Sequence, residues 1–419
     1  MKKIIAVCSL FLLLYGNVRS QENKKTILPQ GKATKWYKKA LKTKPGAYQL
    51  KEYLPLLEGK KVAIYANQTT VIGQKHLVDS LKSLGINIVK IFGPEHGFRG
   101  TADAGEHVDT YIDKETGIKV VSLYGAKSTP SAEDLADVDV TVFDLQDVGM
   151  RFFTYILSLQ HFLEGSIDNR KPVILLDRPN PNGFYVDGPV LDMQFKSGVG
   201  PQPIPVVHGM TMGEYAQLLI GEHWLKTNVN YTPETVGLTI IKCKKYDHRY
   251  LYQLPVPPSP NLKDMAAIYW YASTCFFEGT NLSEGRGTDH PFTVFGHPDL
   301  PHNLFSFVPT SRPGAKSSKL YDKTCYGWDV TNIAPPSQID LSWLIKAHEL
   351  FPQKDSFFLK PTDTSKIENW FFNRLAGNAT LMQQIKSGIT EIQIRESWNN
   401  ELVKFKQKRK KYLLYKDFE

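Results

Sequence analysis

Apolar runs and apolar helical stripes alternate from residue 60 to about residue 180. The segment "KKVAIYANQT" holds Val62, Ala63 and Ile64 in one continuous apolar run, which predicts a buried strand. "HLVDSLKSLG" follows, with Leu77, Leu81 and Leu84 on one helical face and Gly85 as a stop. "INIVKIFGPEHG" predicts a second strand and "IKVVSLYG" a third. "SAEDLADVD" is a short helix capped by Ser131, with Asp134 three residues on. "VDVTVFDLQDVG" is a fourth strand, "RFFTYILSLQHFLEG" a helix starting near Arg151, and "KPVILLDRPNP" a fifth strand.

This rhythm predicts an α/β fold with a doubly wound parallel sheet. Right-handed crossovers then bring every strand's carboxyl end to one edge, where open α/β sheets bind ligands. The strands deliver Asn67 and Gln68, then Glu95 and His96, then Tyr124, then Asp144, Gln146 and Asp147, then Asp177, Arg178 and Asn180. Strands commonly end in polar residues, but chemically capable side chains at all five ends point to a ligand site. After "NPNGFYVDGPV" the rhythm changes. Thr211 and Glu214 form a capping box for one more helix, and "GLTIIKCK" reads as a strand. The proline-rich "LPVPPSPNLKD" marks a boundary, giving a first domain over 51–260 and a second α/β domain over 261–419.

The amino terminus changes the picture of where the chain works. Lys2 and Lys3, the apolar run from Ile4 to Leu14, and Val18 and Ser20 before Gln21 have the pattern of a secretory leader over 1–20. Residues 21–50 form a lysine-rich lead-in. The expectation is export to the periplasm or beyond the cell, with no stable membrane insertion once the leader is removed. Losing Lys2, Lys3 and Arg19 lowers the formal charge of +9 by three. The basic remainder suits an anionic partner such as a wall polymer, and export argues against nucleic acid. Much of the excess sits in "KFKQKRKKYLLYK", which reads first as a solvated helix face. Cys243, Cys275 and Cys325 allow at most one pair and fit no zinc spacing.

No GxGxxG follows the first strand, and "GTNLSEGRGT" has the wrong spacing for a phosphate loop. No GxSxG, HExxH or cysteine-centred motif appears. No cofactor and no metal is expected. Carboxylates beside glycine or arginine are abundant instead, and glycosidic cleavage calls on two carboxyl groups. Glu95 follows a buried strand and a rigid Gly-Pro, a setting for a proton donor, although Arg99 offers it a plain salt bridge. Asp144 and Gln146 share a strand face that Asp147 opposes, so one aspartate can serve a site while the other caps a helix. Glu278 and Glu284 flank "GTNLS", where turn chemistry is the competing explanation. Arg286 lies between two glycines, open to an anionic ligand, and His208 precedes a helix start or is a hydrogen-bonded core histidine.

Together "GPEHGFRG", "DAGE", "SLYG", "VFDLQDVGMRFFTYI", "LDRPNPNG", "PIPVVHGMTMGEYA", "PSPN" and "FEGTNLSEGRGTDHPF" resemble the exo-β-N-acetylmuramidase (NamZ) family of bacterial peptidoglycan hydrolases. The resemblance spans about residue 50 to the end, with one small departure: Met150-Arg151-Phe152-Phe153 stands where Ala-Arg-Phe-Tyr is expected, which costs one phenol hydroxyl. It implies a Rossmann-like first domain, a smaller α/β second domain and a cleft between them. It also implies release of N-acetylmuramic acid from non-reducing ends of peptidoglycan glycans or muropeptides, with Glu95 as the catalytic glutamate.

The second catalytic group is left open among Asp147, Glu278, Glu284 and the substrate's own acetamido group. His96, Arg99, Asp144, Gln146, Arg151, Arg178, Asn180, His208, Asn281 and Arg286 are candidates for substrate binding. Of the arginines, Arg286 comes first for the lactyl carboxylate. The rival readings are a non-enzymatic glycan receptor and a wall esterase or amidase using Glu95 and His96.

Overall fold

The computed structural model describes residues 38–100, 109–334 and 337–419. The expected leader, the lead-in up to residue 37 and the "DAGE" motif at 103–106 lie outside the described residues.

The first domain is built on β1 (Val62–Ala66), β2 (Ile88–Gly93), β3 (Tyr111–Ile112), β4 (Lys119–Ser122), β5 (Val140–Asp144), β6 (Val173–Leu176) and β7 (Leu238–Ile241). Among the described residues they form one sheet in the order β7-β6-β5-β1-β2-β4-β3. All neighbours run parallel except β3, which turns back antiparallel on β4. The chain moves outward one way through β1, β2 and β4, then the other way through β5, β6 and β7. This is the doubly wound pattern, with its switch between β1 and β5.

Its helices are α1 (Leu50–Leu57), α2 (Leu77–Ser83), α3 (Ala132–Leu135), α4 (Tyr155–Asp168) and α5 (Met212–Gly221). Strand alternation explains the unbroken apolar runs. Val62, Ile64 and Ala66 of β1 pack with Tyr53 and Leu57 of α1 and Leu81 of α2. Ala63 and Tyr65 belong to the opposite core, with Phe162 of α4 and Tyr215 of α5. Both faces of the sheet's centre are covered, so β1, β5 and β6 are buried in both phases.

Both predicted capping boxes form: Ser131 with Asp134 opens α3, and Thr211 with Glu214 opens α5. Two boundaries differ from expectation. α2 ends at Ser83, which leaves Leu84 outside the helix and 53% exposed. α4 starts at Tyr155 rather than near Arg151, because Arg151 is fully buried and its backbone N–H bonds to the Val206 carbonyl (2.8 Å).

The smaller second domain carries α6 (Met265–Thr274), a turn over Cys275–Gly279, and a three-stranded antiparallel sheet. Those strands are β8 (Val294–His297), β9 (Phe305–Phe307) and β10 (Cys325–Asp329), in the order β8-β10-β9. α7 (Ser342–Leu350), α8 (Phe371–Ala376), α9 (Thr380–Lys386) and α10 (Glu391–Lys410) complete it. Phe277 stacks on Phe295 (4.6 Å between rings), and this core merges with the α4 and α5 side of the first domain. α10 packs back on the strand Asp187–Val190. The basic run on α10 is not uniformly solvated: Arg409 is fully buried against Asp417 (2.8 Å), while Lys404, Lys406 and Lys408 pair with Glu401, Glu419 and Glu222.

Candidate active site

β2 ends in a tight turn that presents Glu95. The Gly97 N–H closes it on the Pro94 carbonyl (2.9 Å), and His96 takes the positive-φ position (φ 69°). A β-carbon there costs about 1–2 kcal/mol relative to glycine. The strained turn places the buried His96 ring beside Ser259 Oγ (3.4 Å). Tyr124, just past β4, donates to Glu95 Oε1 (3.1 Å), and Thr154, at the cap of α4, donates to Oε2 (3.2 Å). Both carboxylate oxygens are thus held by hydroxyls from separate elements. Burial, with Glu95 next to it, pushes the Tyr124 phenol up to about 12, so it stays a proton donor through the neutral range.

These groups open into a pocket of about 640 Å³ between the two domains. Glu95, His96, Tyr124, Phe152, Phe153 and Thr154 form the wall from the first domain; Tyr271, Glu278 and Arg286 form the wall from the second. The volume lies in the range of pockets that enclose small ligands. Aromatic rings line it: Tyr271 meets Phe152 edge-on (5.1 Å) and Phe153 at 6.4 Å.

Glu278 is the second carboxylate in the pocket wall. Arg286 donates to its Oε1 from Nη2 (2.6 Å) and Nε (3.2 Å), and the Cys275 thiol reaches Oε2 (3.7 Å). Arg286 also lies 3.4 Å from Glu284, and its guanidinium covers the Phe292 ring (5.0 Å). Burial lowers the Arg286 pKa, but Glu278 and Glu284 outweigh it, so the guanidinium stays charged. Glu284 sits behind this pair, against Lys319 (2.8 Å). Burial pushes the Glu284 carboxyl up, but Lys319 and Arg286 more than reverse this and hold it ionised.

The other sequence candidates stand away from the pocket wall. Arg178 forms a buried two-pronged pair with Asp144 (2.5 and 2.8 Å). Arg151 serves the carbonyls of Pro189, Ile204 and Leu375, and burial lowers its pKa to about 9. Gln146 donates to the carbonyls of Asp147 and Pro179, and Asn180 to that of Met210. Asp147 and His208 are buried neighbours (3.8 Å). Asn281 donates to the Ser356 carbonyl. Arg99 faces β3, paired with Asp113 (2.9 Å), Glu115 and Asp79, so it does not hold Glu95.

Sequence reasoning passed over Thr154, Tyr271, Ser259 and His161, all in the pocket wall, and noted Tyr124 only as a strand end. Tyr124 had a usable signal, since it follows a strand on the ligand edge. Tyr271 sits in a helix with little polar contrast, so no period marks the face it turns to the pocket.

The model of the N-terminal domain of exo-β-N-acetylmuramidase NamZ matches residues 62–266, and that of the C-terminal domain matches 269–415. The peptidoglycan β-N-acetylmuramidase NamZ of Bacillus subtilis (strain 168) is 35% identical over 394 residues, covering 87% of this chain and 89% of the relative. Two solved structures of DUF1343 family proteins from Bacteroides fragilis NCTC 9343 share the fold. One has a TM-score of 0.79 at 41% identity, covering 90% of this chain and 99% of its own. The other has a TM-score of 0.72 at 27% identity, covering 89% and 99%.

Proposed function

The chain belongs to the exo-β-N-acetylmuramidase NamZ family, and from that premise we propose that it releases N-acetylmuramic acid from non-reducing ends of peptidoglycan glycans and muropeptides. The observation that carries this reading is the pair Glu95 and Glu278, which face one pocket from opposite domains. Two carboxyl groups flanking one sugar site are what glycosidic cleavage requires. Glu95 is the general acid/base. Tyr124 and Thr154 hold its two oxygens in place and can follow its change of charge, because hydroxyls both donate and accept. Glu278 is the opposing carboxylate, oriented by two hydrogen bonds from Arg286. Asp147 and Glu284 are buried and absent from the pocket wall. The relatives favour neither a non-catalytic receptor nor an esterase or amidase.

A chromogenic β-N-acetylmuramide tests this directly. Glu95→Gln should lower kcat by on the order of 10²–10⁴, the usual share of general acid-base catalysis. Glu278→Gln should also fall by at least about tenfold, with the fold intact by circular dichroism. Near-normal turnover by folded Glu95→Gln would remove Glu95 from the chemistry.

A further inference from the structure

The basic excess of this chain gathers somewhere other than its most basic stretch of sequence. On α10, Lys404 pairs with Glu401, Lys408 with Glu222, and Lys406 and Lys410 share Glu419. A second gathering is invisible in sequence because its halves lie some two hundred residues apart. Lys44 and Lys244 form an antiparallel bridge, with N–H to carbonyl distances of 2.9 and 2.8 Å, and Thr43 Oγ1 donates to the Lys245 carbonyl (2.9 Å). Gly46 anchors this crossing: a β-carbon there would stand 2.2 Å from the Ile241 carbonyl oxygen. The result sets Lys42 and Lys44 beside Lys242, Lys244 and Lys245, with Lys51 at the start of α1, all six exposed.

Like charges brought face to face across a bridge work against folding. Partial relief is visible, since Lys44 lies over the Tyr48 ring (5.0 Å) and Lys244 pairs with the exposed Glu52 (2.9 Å). A surface that concentrates cations at a cost to its own stability fits an external anion. The side chains are all lysines, point charges on flexible stems, with no rigid fork for one shaped anion. That suits many loosely placed carboxylates better than a single phosphate.

Position supports the same partner. The cluster follows the end of β7, on the carboxyl edge that also carries Glu95. β7 and β2 are four places apart in the sheet, about 19 Å at the usual strand spacing. A polymer whose end sits in the pocket has its remaining length to place along the protein. We propose that the lysines around the Lys44–Lys244 bridge are a docking surface for the carboxylate-bearing glycan of the cell wall, distinct from the pocket that cleaves its end. This rests on the functional reading above. An anionic membrane is the other polyanion at hand, but Leu41 is the exposed apolar residue of this segment (65%), and one side chain is a weak anchor.

The test uses the full protein carrying Lys42→Glu, Lys44→Glu, Lys242→Glu and Lys245→Glu together, and a milder set with glutamine at the same positions. Co-sedimentation with insoluble wall sacculi should weaken by about tenfold or more in the glutamate set and by less in the glutamine set. Wild-type binding should fall as salt is raised. Turnover of the small soluble muramide should stay within about twofold in both sets, since that substrate does not reach the lysines. Unchanged sedimentation by either folded set overturns the surface. Equal lysine-dependent binding to phosphatidylglycerol vesicles at about 0.15 M salt overturns the choice of partner. Failure of the wild type to cleave the small muramide counts against the functional reading instead, and the sedimentation result stands apart from it.

Discussion

At the scale of single residues, burial decides which candidate groups can act. Asp147 and His208 show this most sharply. Burial pushes the Asp147 carboxyl from 3.8 up to about 7, and the Gly149 and Val148 N–H groups only partly offset it. Burial, then Arg409 and His248, push the His208 imidazole from 6.5 down to about 3. Near pH 5 the pair is therefore neutral on both sides. The Met210 N–H donates to His208 Nδ1 (3.3 Å), so the neutral ring carries its proton on Nε2, toward Asp147.

The consequence for stability has a definite sign. Asp147 has a raised pKa, so its contribution is whole below pH 3.8 and is lost as pH rises through about 7. Asp147→Asn keeps an acceptor for Gly149 and removes that loss. Its stability relative to wild type should climb between about pH 4 and 7 and level off above. The total rise should be of order 4 kcal/mol, at about 1.4 kcal/mol per pH unit. Turnover should persist, because Asp147 is absent from the pocket wall. Urea melts at several pH values check it, and a difference that does not change with pH would refute the buried neutral pair. Sequence placed Glu95 at a strand end and put Arg286 first among the arginines, but it kept Arg151 and Arg178 as binding candidates, and neither lines the pocket. Nothing local separates an arginine bound to interior carbonyls from one facing a cavity; only the tertiary surroundings do.

At the scale of elements, the parallel sheet was legible because the physics is repetitive. A strand covered on both faces must be apolar in both phases, and β1, β5 and β6 read that way without ambiguity. α4 supplies the cover on one face. Phe162 stacks on Tyr65 (5.3 Å between rings) and meets Phe92 and Phe143 at 6.0 and 5.7 Å. Phe162→Ala should therefore destabilise the protein by about 3–5 kcal/mol, the cost of a large aromatic lost from a closed core. A loss below about 1 kcal/mol in a chemical melt would mean that α4 can collapse onto the sheet. The second domain was less legible, because its strands are short and β9 is largely exposed, so alternation has little length to show itself.

At the scale of the whole molecule, the two domains are held by the end of the chain as well as by the cleft. α10 leaves the second domain and lies on Asp187–Val190 of the first. The tail then reaches under the sheet edge: Tyr415 donates to Asp177 (2.6 Å), and the Leu414 N–H to Glu214 (2.8 Å). Arg409 is the pin of this strap, with Nη2 on the Gly209 carbonyl (2.7 Å) and both terminal nitrogens on Asp417 (2.8 and 2.9 Å). Removing one partner of a buried charge pair leaves the other unmatched, which costs about 3–5 kcal/mol. Asp417→Ala should impose that cost. Because the strap joins both domains, the loss should appear in calorimetry as one transition moved downward. Two separated transitions, or an unmoved one, would show that the domains melt independently of it. Below the melt, turnover of the small muramide should be preserved, since neither Arg409 nor Asp417 reaches the pocket. Loss of activity without loss of stability would mean instead that the strap sets the spacing of Glu95 and Glu278 across the cleft.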